Sequence, residues 1–280
     1  MSVINTNIKS IVAQNAMTVN SRAMSKAMEQ LSTGKRINSA ADDAAGLGIS
    51  DKMTAQIRGL NQAVRNANDG ISMLQTAEGA TKEITNMLQR MREMAVQGAN
   101  DTYGTADRAS LGLEFDALTT EIDRIANSTE WNGMKILDGS SMTSATLQIG
   151  AGSGSAYQIT VIFDSMAAAS LGSTGLATGD IDSASTAGTF QTMISTIDLA
   201  ITYVDDFRAD MGATINRLNY AADNMTNTSM NTSASRSRIE DTDFASATTE
   251  LARTQIISQA ATAMLAQANQ QPQSVLSLLR

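Results

Sequence analysis

Few residues in this chain are of types that do chemistry, and their spacing argues against it. Gly46-Leu47-Gly48 is a lone Gly-x-Gly. A nucleotide site needs such glycines directly after a strand, where the backbone approaches a phosphate and a helix N-terminus receives it. No strand pattern precedes them here. Gly150-Ala151-Gly152-Ser153-Gly154 has the composition of an anion cradle, but it reads as a hairpin loop between two strand-like runs. Acid pairs occur at Asp42-Asp43, Asp180/Asp182 and Asp205-Asp206. Each reads as helix N-terminal charge or a solvated face rather than a divalent cation site. The chain has no cysteine and no histidine. That removes thiolate nucleophiles, disulfides, Cys/His zinc sites and the imidazole that most often moves protons near neutral pH. No catalytic, cofactor-binding or metal-binding residues are expected.

With chemistry set aside, the elements themselves carry the information. The 280 residues are 42% hydrophobic but only 4% aromatic, so a core must be built from Ala, Leu, Ile, Val and Met, which suit close helix packing. The net charge of −8 argues against a duplex-DNA binder, which presents a basic face. The opening MSVINTNIKS has no basic run followed by an apolar one, so it does not read as a secretory signal. No stretch of about 18 apolar residues is present to span a membrane. The single proline, Pro272, leaves the interior free of the strongest helix breaker.

Helical periodicity is the dominant pattern. A first helix is expected from about Asn5 to Leu31, with few charges. Leu31 to Ser50 is then a polar joint of turn and cap residues, including Ser32, Thr33, Gly34, Asn38 and Ser39. A very long helix follows, from about Ala44 to Ala99. Its Ile57, Leu60, Val64, Ala67, Ile71 and Leu74 are spaced 3, 4, 3, 4, 3, a heptad-like seam. At 1.5 Å per residue it would be on the order of 80 Å long, which predicts a rod. Gly59, Gly70 and Gly79 interrupt the seam and are expected to mark close helix contacts. After a turn at Asn100–Gly104, the seam Leu111, Phe115, Leu118, Ile122, Ile125 should fold back antiparallel.

The character then changes. Asn132-Gly133 and Asp138-Gly139 bracket a short apolar run and signal hairpin structure. Residues 140 to 185 are rich in Ser, Thr, Gly and Ala, with strands expected at Thr146–Ile149 and Tyr157–Phe163. Helical periodicity returns from Phe190 to Met225. The Ser/Thr/Asn-rich run Asn227–Arg238 reads as a second joint, extending to Asp243 and opposite the first. The last helix carries Phe244, Ala247, Leu251, Ile257, Ala261, Met264, Leu265 and Ala268, and has no charge between Arg253 and Arg280.

The expected fold is mainly α: an elongated antiparallel long-helix bundle or coiled coil with paired N- and C-terminal helices and a small β-containing insertion at the far end. Two terminal helices with so few charges gain stability by packing against copies of themselves. A heterologous repeat of such contacts gives an open helical filament.

Several long motifs, in order, resemble bacterial flagellins. They are the opening Ile4-Asn5-Thr6-Asn7, the joint LSTGKRINSAADDAAGL from Leu31 to Leu47, QRMREMAVQ from Gln89 to Gln97, Trp131-Asn132-Gly133 with Leu137-Asp138-Gly139, RSRIEDTDFA from Arg236 to Ala245, and QPQSVLSLL from Gln271 to Leu279. The resemblance covers roughly 1–139 and 191–280; the middle does not match. It implies a structural subunit, and no enzyme, that self-assembles into the extracellular flagellar filament for swimming and is exported unfolded through the flagellar type III apparatus. The alternative is a hook–filament junction protein, which shares the terminal helices. An enzyme in the insertion is disfavoured, since so small a Ser/Thr/Gly-rich segment without His or Cys offers little to build one.

The same resemblance implies residues 1–43 with 240–280 as an inner-core domain, 44–139 with 188–239 as a rod domain, and 140–187 as a variable solvent-facing insertion. In the joint, Gly34, Asn38 and Gly46 permit a hinge, while Arg36, Asp42 and Asp43 are contact charges toward neighbouring copies. Ile256, Ile257, Met264 and Leu265 belong to the subunit interface. Gln89, Arg90, Glu93, Met94 and Glu114 correspond to an epitope read by a vertebrate flagellin-sensing Toll-like receptor, with Met94 where Leu is commoner. Glu29–Ser50 corresponds to the part sensed by plants, with Gln30, Lys35, Ala41 and Gly48 departing from the usual residues. Implied partners are further copies of the chain, an export chaperone, the filament cap and hook-junction proteins, with no cofactor, no nucleic acid and no membrane insertion.

Overall fold

The computed structural model describes residues 7–171 and 186–278, with side chains described as far as Gln270. Among these residues the helices are α1 (Ile8–Thr33), α2 (Ala44–Gly98), α3 (Thr105–Ser128), α4 (Ala187–Glu240) and α5 (Phe244–Leu278). Two antiparallel hairpins lie between α3 and α4. The first pairs β1 (Glu130–Trp131) with β2 (Met134–Lys135), and the second pairs β3 (Ser144–Gln148) with β4 (Gln158–Ile162). Contacts divide the chain into two compact units, Met1–Ile57 with Met230–Arg280 and Arg58–Ser229. The division falls inside α2 and inside α4.

Local chemistry sets the element ends. The Asn7 side chain accepts from Ser10 N at the start of α1, and Gly34 ends that helix in the left-handed conformation at φ 70°. The hairpin structure expected here is present, with Asn132 (φ 51°) and Gly133 (φ 76°) as the two-residue turn between β1 and β2 and Asp138-Gly139 beyond it.

The second unit holds one continuous hydrophobic core. Leu74, Ile84, Leu88, Met91 and Met94 of α2 meet Phe115 and Ile122 of α3 and Phe190, Ile197 and Val204 of α4, all within a few percent of full burial. Antiparallel packing is marked by polar pairs at the rim of this core. Arg108 Nε of α3 donates to Gly98 O of α2 at 3.0 Å, and farther from the turn Arg90 of α2 pairs with Glu114 of α3. Between α2 and α4, Arg92 meets Asp198 at 2.6 Å and Ser229 Oγ donates to Asn61 Oδ1 at 2.9 Å.

Three expectations are corrected here. Asn227–Arg238 is no joint: α4 runs without interruption to Glu240, and the break is only Asp241–Asp243. Thr226, Thr228 and Ser235 return their hydroxyls to carbonyls four residues earlier, while Ser229 and Arg236 find partners on α2 at Asn61 and Thr54. Residues that favour loops when their side chains compete for backbone groups are thus satisfied inside the helix. Gly59 and Gly70 do mark close approaches, but to the β3–β4 hairpin rather than to a helix. A methyl on Gly59 would stand 2.8 Å from Ala151 Cβ, and one on Gly70 would collide with Leu147. Gly79 faces open space. The side chains of Val275, Leu276, Leu278 and Leu279, and Asp180 and Asp182, lie outside the described residues.

Candidate interaction surfaces

The joint between α1 and α2 is held by a dense set of polar contacts. The Asp42 carboxylate accepts from Asn38 N, Ser39 N and Ser39 Oγ and pairs with Lys26 Nζ at 2.8 Å. The hydrogen bond from Lys26, then those from the Asn38 and Ser39 amides, lower its pKa to about 2. Asp43 Oδ1 accepts from Gly46 N at 2.9 Å at the first turn of α2. Asn38 Nδ2 donates back to Lys35 O. Gly46 is buried against Asp43 and Ile37, where a methyl would stand 2.5 and 2.6 Å from their side-chain atoms. Its role is therefore close approach. The left-handed backbone of the joint belongs to Gly34.

This joint is clamped to the break between α4 and α5. Arg36 N donates to Glu240 O at 2.6 Å, Arg36 Nη2 to Ile239 O at 2.7 Å, and Thr242 N to Gly34 O at 3.0 Å. Lys35 pairs with Glu240 through its ammonium and bridges Asp241 through its backbone. Ser50 Oγ donates to the same Glu240 carboxylate at 2.5 Å. Lys35, then Ser50, hold the Glu240 pKa below the usual carboxylate range. Arg36, Asp42 and Asp43, expected as charges toward other copies, each have partners within the chain. Lys26, Lys35, Ser50 and Glu240 complete the site, and of these Lys26, Ser50 and Glu240 were not singled out by sequence. Nothing local to Ser50 or Glu240 signals a contact 190 residues apart.

The second surface is apolar. α1 and α5 pair antiparallel, but among the described side chains their other faces are open. Ile8 is 59% exposed, Val12 62%, Ile256 67% and Met264 63%; Ile257 is also exposed, and Leu265 is half-buried. Ile8, Val12, Ala13, Ala16, Ala261 and Met264 line a shallow groove between the two helices. Apolar side chains left in water on paired helices are the kind of surface that association covers.

The third surface lies on α2 and α3. Arg90 donates through Nε and Nη2 to Glu114 Oε1, at 3.0 and 2.9 Å, and through Nη1 to Glu93 at 3.3 Å. Gln89 is exposed beside them. Met94 is only 1% exposed and faces the core, so it supports this surface from beneath and takes no part in it.

Among the described residues no group of three or more metal-ligating side chains clusters, and no helix is long and apolar enough to cross a membrane. Long helices over a finished core, with terminal helices that leave apolar side chains uncovered, define a structural subunit that associates with others. The matches to known proteins name the class further. The model of the bacterial flagellin N-terminal helical region matches residues 4–142, and that of the C-terminal helical region matches 194–279. A flagellin of Halalkalibacterium halodurans is 47% identical over 278 residues, covering 99% of this chain and all of that one. A flagellin of Bacillus subtilis is 44% identical over 306 residues, covering 99% of each. A solved structure of a protein of Vibrio parahaemolyticus, assigned as flagellar hook-associated, aligns with TM-score 0.59 over 71% of this chain and all of that chain at 14% identity, a likeness of fold alone. The chain belongs to the bacterial flagellin family, structural proteins of the extracellular flagellar filament and not enzymes.

Proposed function

We propose that the subunit polymerises through the uncovered faces of α1 and α5, with Ile256, Ile257, Met264 and Leu265 contributing the contacts from α5. The observation that carries this reading is the exposure of Ile8, Val12, Ile256 and Met264 on paired helices. Apolar surface on this pair is worth about 25 cal/mol per Å² once a neighbouring copy covers it. In the assembled filament, residues 1–43 with 240–280 form the inner layer, 44–139 with 188–239 the next, and 140–187 face solvent. Gly34, Arg36, Asn38, Asp42, Asp43 and Gly46 shape the joint that sets the angle between the first two layers. The chain travels unfolded through the flagellar export apparatus, which accords with a sequence free of cysteine. An export chaperone, the filament cap and hook-junction proteins are its partners on that route.

Seeded polymerisation followed by electron microscopy tests the reading. Removing residues 259–280 is expected to leave the second unit folded by circular dichroism and to abolish filaments. Normal filaments from that truncation would refute it. Deletion of the gene with only filament attachment lost would instead identify a junction protein.

The exposed cluster Gln89, Arg90, Glu93 and Glu114 supports recognition by the vertebrate flagellin-sensing Toll-like receptor. Receptor binding of Arg90→Ala and Glu114→Ala subunits is expected to fall at least about tenfold, since each loses a charge-assisted contact. Undiminished binding by both would remove this role.

A further inference from the structure

The chain contains 17 methionines, and their burial is uneven. Met91, Met94, Met166, Met193, Met211 and Met225 are buried in the core of the second unit, where no oxidant reaches the thioether. Among the described residues Met28, Met134, Met230 and Met264 are the exposed ones. Met264 alone of these four lines the apolar groove between α1 and α5. Its thioether is accessible in the free subunit and stands on a surface that must become dry for association.

We infer that Met264 is an oxidant-sensitive modification site that controls whether a subunit can polymerise. The inference rests on the reading of the α1/α5 groove as the polymerisation face. The co-reactant is a hydroperoxide. The Met264 sulfur attacks the distal peroxide oxygen, the O–O bond breaks, and the proton of the attacked oxygen passes to the departing oxygen, which leaves as water or an alcohol. The thioether is oxidised by two electrons to the sulfoxide, and the hydroperoxide is reduced. The product carries a strong hydrogen-bond acceptor where the native side chain had none. Water satisfies that oxygen in the free subunit. Ile8, Val12, Ala13 and Ala261 offer no side-chain donor once a neighbouring copy excludes water, so the oxidised subunit favours the free state. Assembly in turn shields the sulfur, and sulfoxide reductases reverse the change.

The test uses full-length subunit and preformed filament treated with dilute hydrogen peroxide, with sulfoxide mapped by mass spectrometry. Met264 should oxidise in the subunit and be protected in the filament. Oxidised subunit should show a critical concentration for seeded growth raised at least about tenfold, restored by methionine sulfoxide reductases. Met264→Leu keeps the apolar volume and retains Met28, Met134 and Met230, so the treated variant should still polymerise. Loss of growth in treated Met264→Leu equal to wild type would overturn the proposal, as would normal growth of subunit carrying the Met264 sulfoxide. An untreated Met264→Asp subunit separates the two levels. If it polymerises normally with unchanged helix content, the groove is not the polymerisation face and both readings fall. If it does not, a negative oxidation result removes only the redox role.

Discussion

Asn20 Nδ2 donates to the main-chain carbonyl of Thr254, 2.7 Å away and buried between α1 and α5. Near the other end of the pair Asn7 Nδ2 does the same to Ala268 O at 2.9 Å. Apolar contacts between two helices of small residues specify register weakly, because a shift of one turn replaces one alanine with another. Two side-chain amides aimed at fixed carbonyls specify it strongly. The helices that carry the exposed apolar groove are thus aligned by polar atoms.

Asn20→Leu keeps the volume and removes that bond. It is expected to cost about 1 kcal/mol of the α1–α5 pairing. Amide exchange of α1 and α5 in the free subunit should quicken, while the core around Phe115 and Phe190 keeps its protection. Unchanged exchange would show that the apolar contacts alone set the register.

Glu240 gathers Lys35, Ser50 and Arg236 around one carboxylate. Glu240→Gln should loosen the clamp on the joint by roughly 1 kcal/mol. Exchange at the amides of Arg36 and Asp42 reads it directly, since both donate within this region. Filament yield should fall with no loss of helix content.

The joint should also respond to acid. Asp42 and Glu240 both have folded pKa values below their ordinary 3.8 and 4.5, Asp42 at about 2. A depressed folded pKa contributes stability above the unfolded value, and that contribution is lost as pH falls through the folded one. The clamp should therefore weaken from about pH 4.5 downward, with the Asp42 share disappearing between about pH 4 and pH 2. Stability of Asp42→Asn measured across this window should show a shallower pH slope than wild type; an identical slope would remove Asp42 from the account.

Gly46 and Gly48 stand two residues apart in α2 and should respond oppositely to alanine. At Gly46 the new methyl meets Asp43 and Ile37 at 2.5 and 2.6 Å. Disturbing that cap and packing should cost about 1–3 kcal/mol. At Gly48 nothing lies within 4 Å, so alanine should raise stability by up to about 1 kcal/mol through helix propensity. Thermal melting of the two variants checks both signs.

By itself, the sequence determined most of the helical course, the first joint and both hairpins. Each rests on short-range physics: the 3, 4 spacing from Ile57 to Leu74, Gly34 as a left-handed cap, and Asn132-Gly133 as a turn. It also supplied the family through motifs such as Leu31–Leu47. Tertiary structure decided what depends on distant partners. Asn227–Arg238 reads as a loop because its side chains compete for backbone groups. It is helical because Asn61 and Thr54 on α2 engage Ser229 and Arg236. Gly59 and Gly70 read as helix contacts, since no local signal shows Ala151 and Leu147 arriving against them. Arg36, Asp42 and Asp43 read as contact charges toward neighbouring copies, and the folded chain also gives them Ile239, Lys26 and Gly46 as partners of its own. Periodicity tells a helix which face to bury. Which residues meet across that face, and which are left uncovered, is set by contacts between positions far apart in the chain.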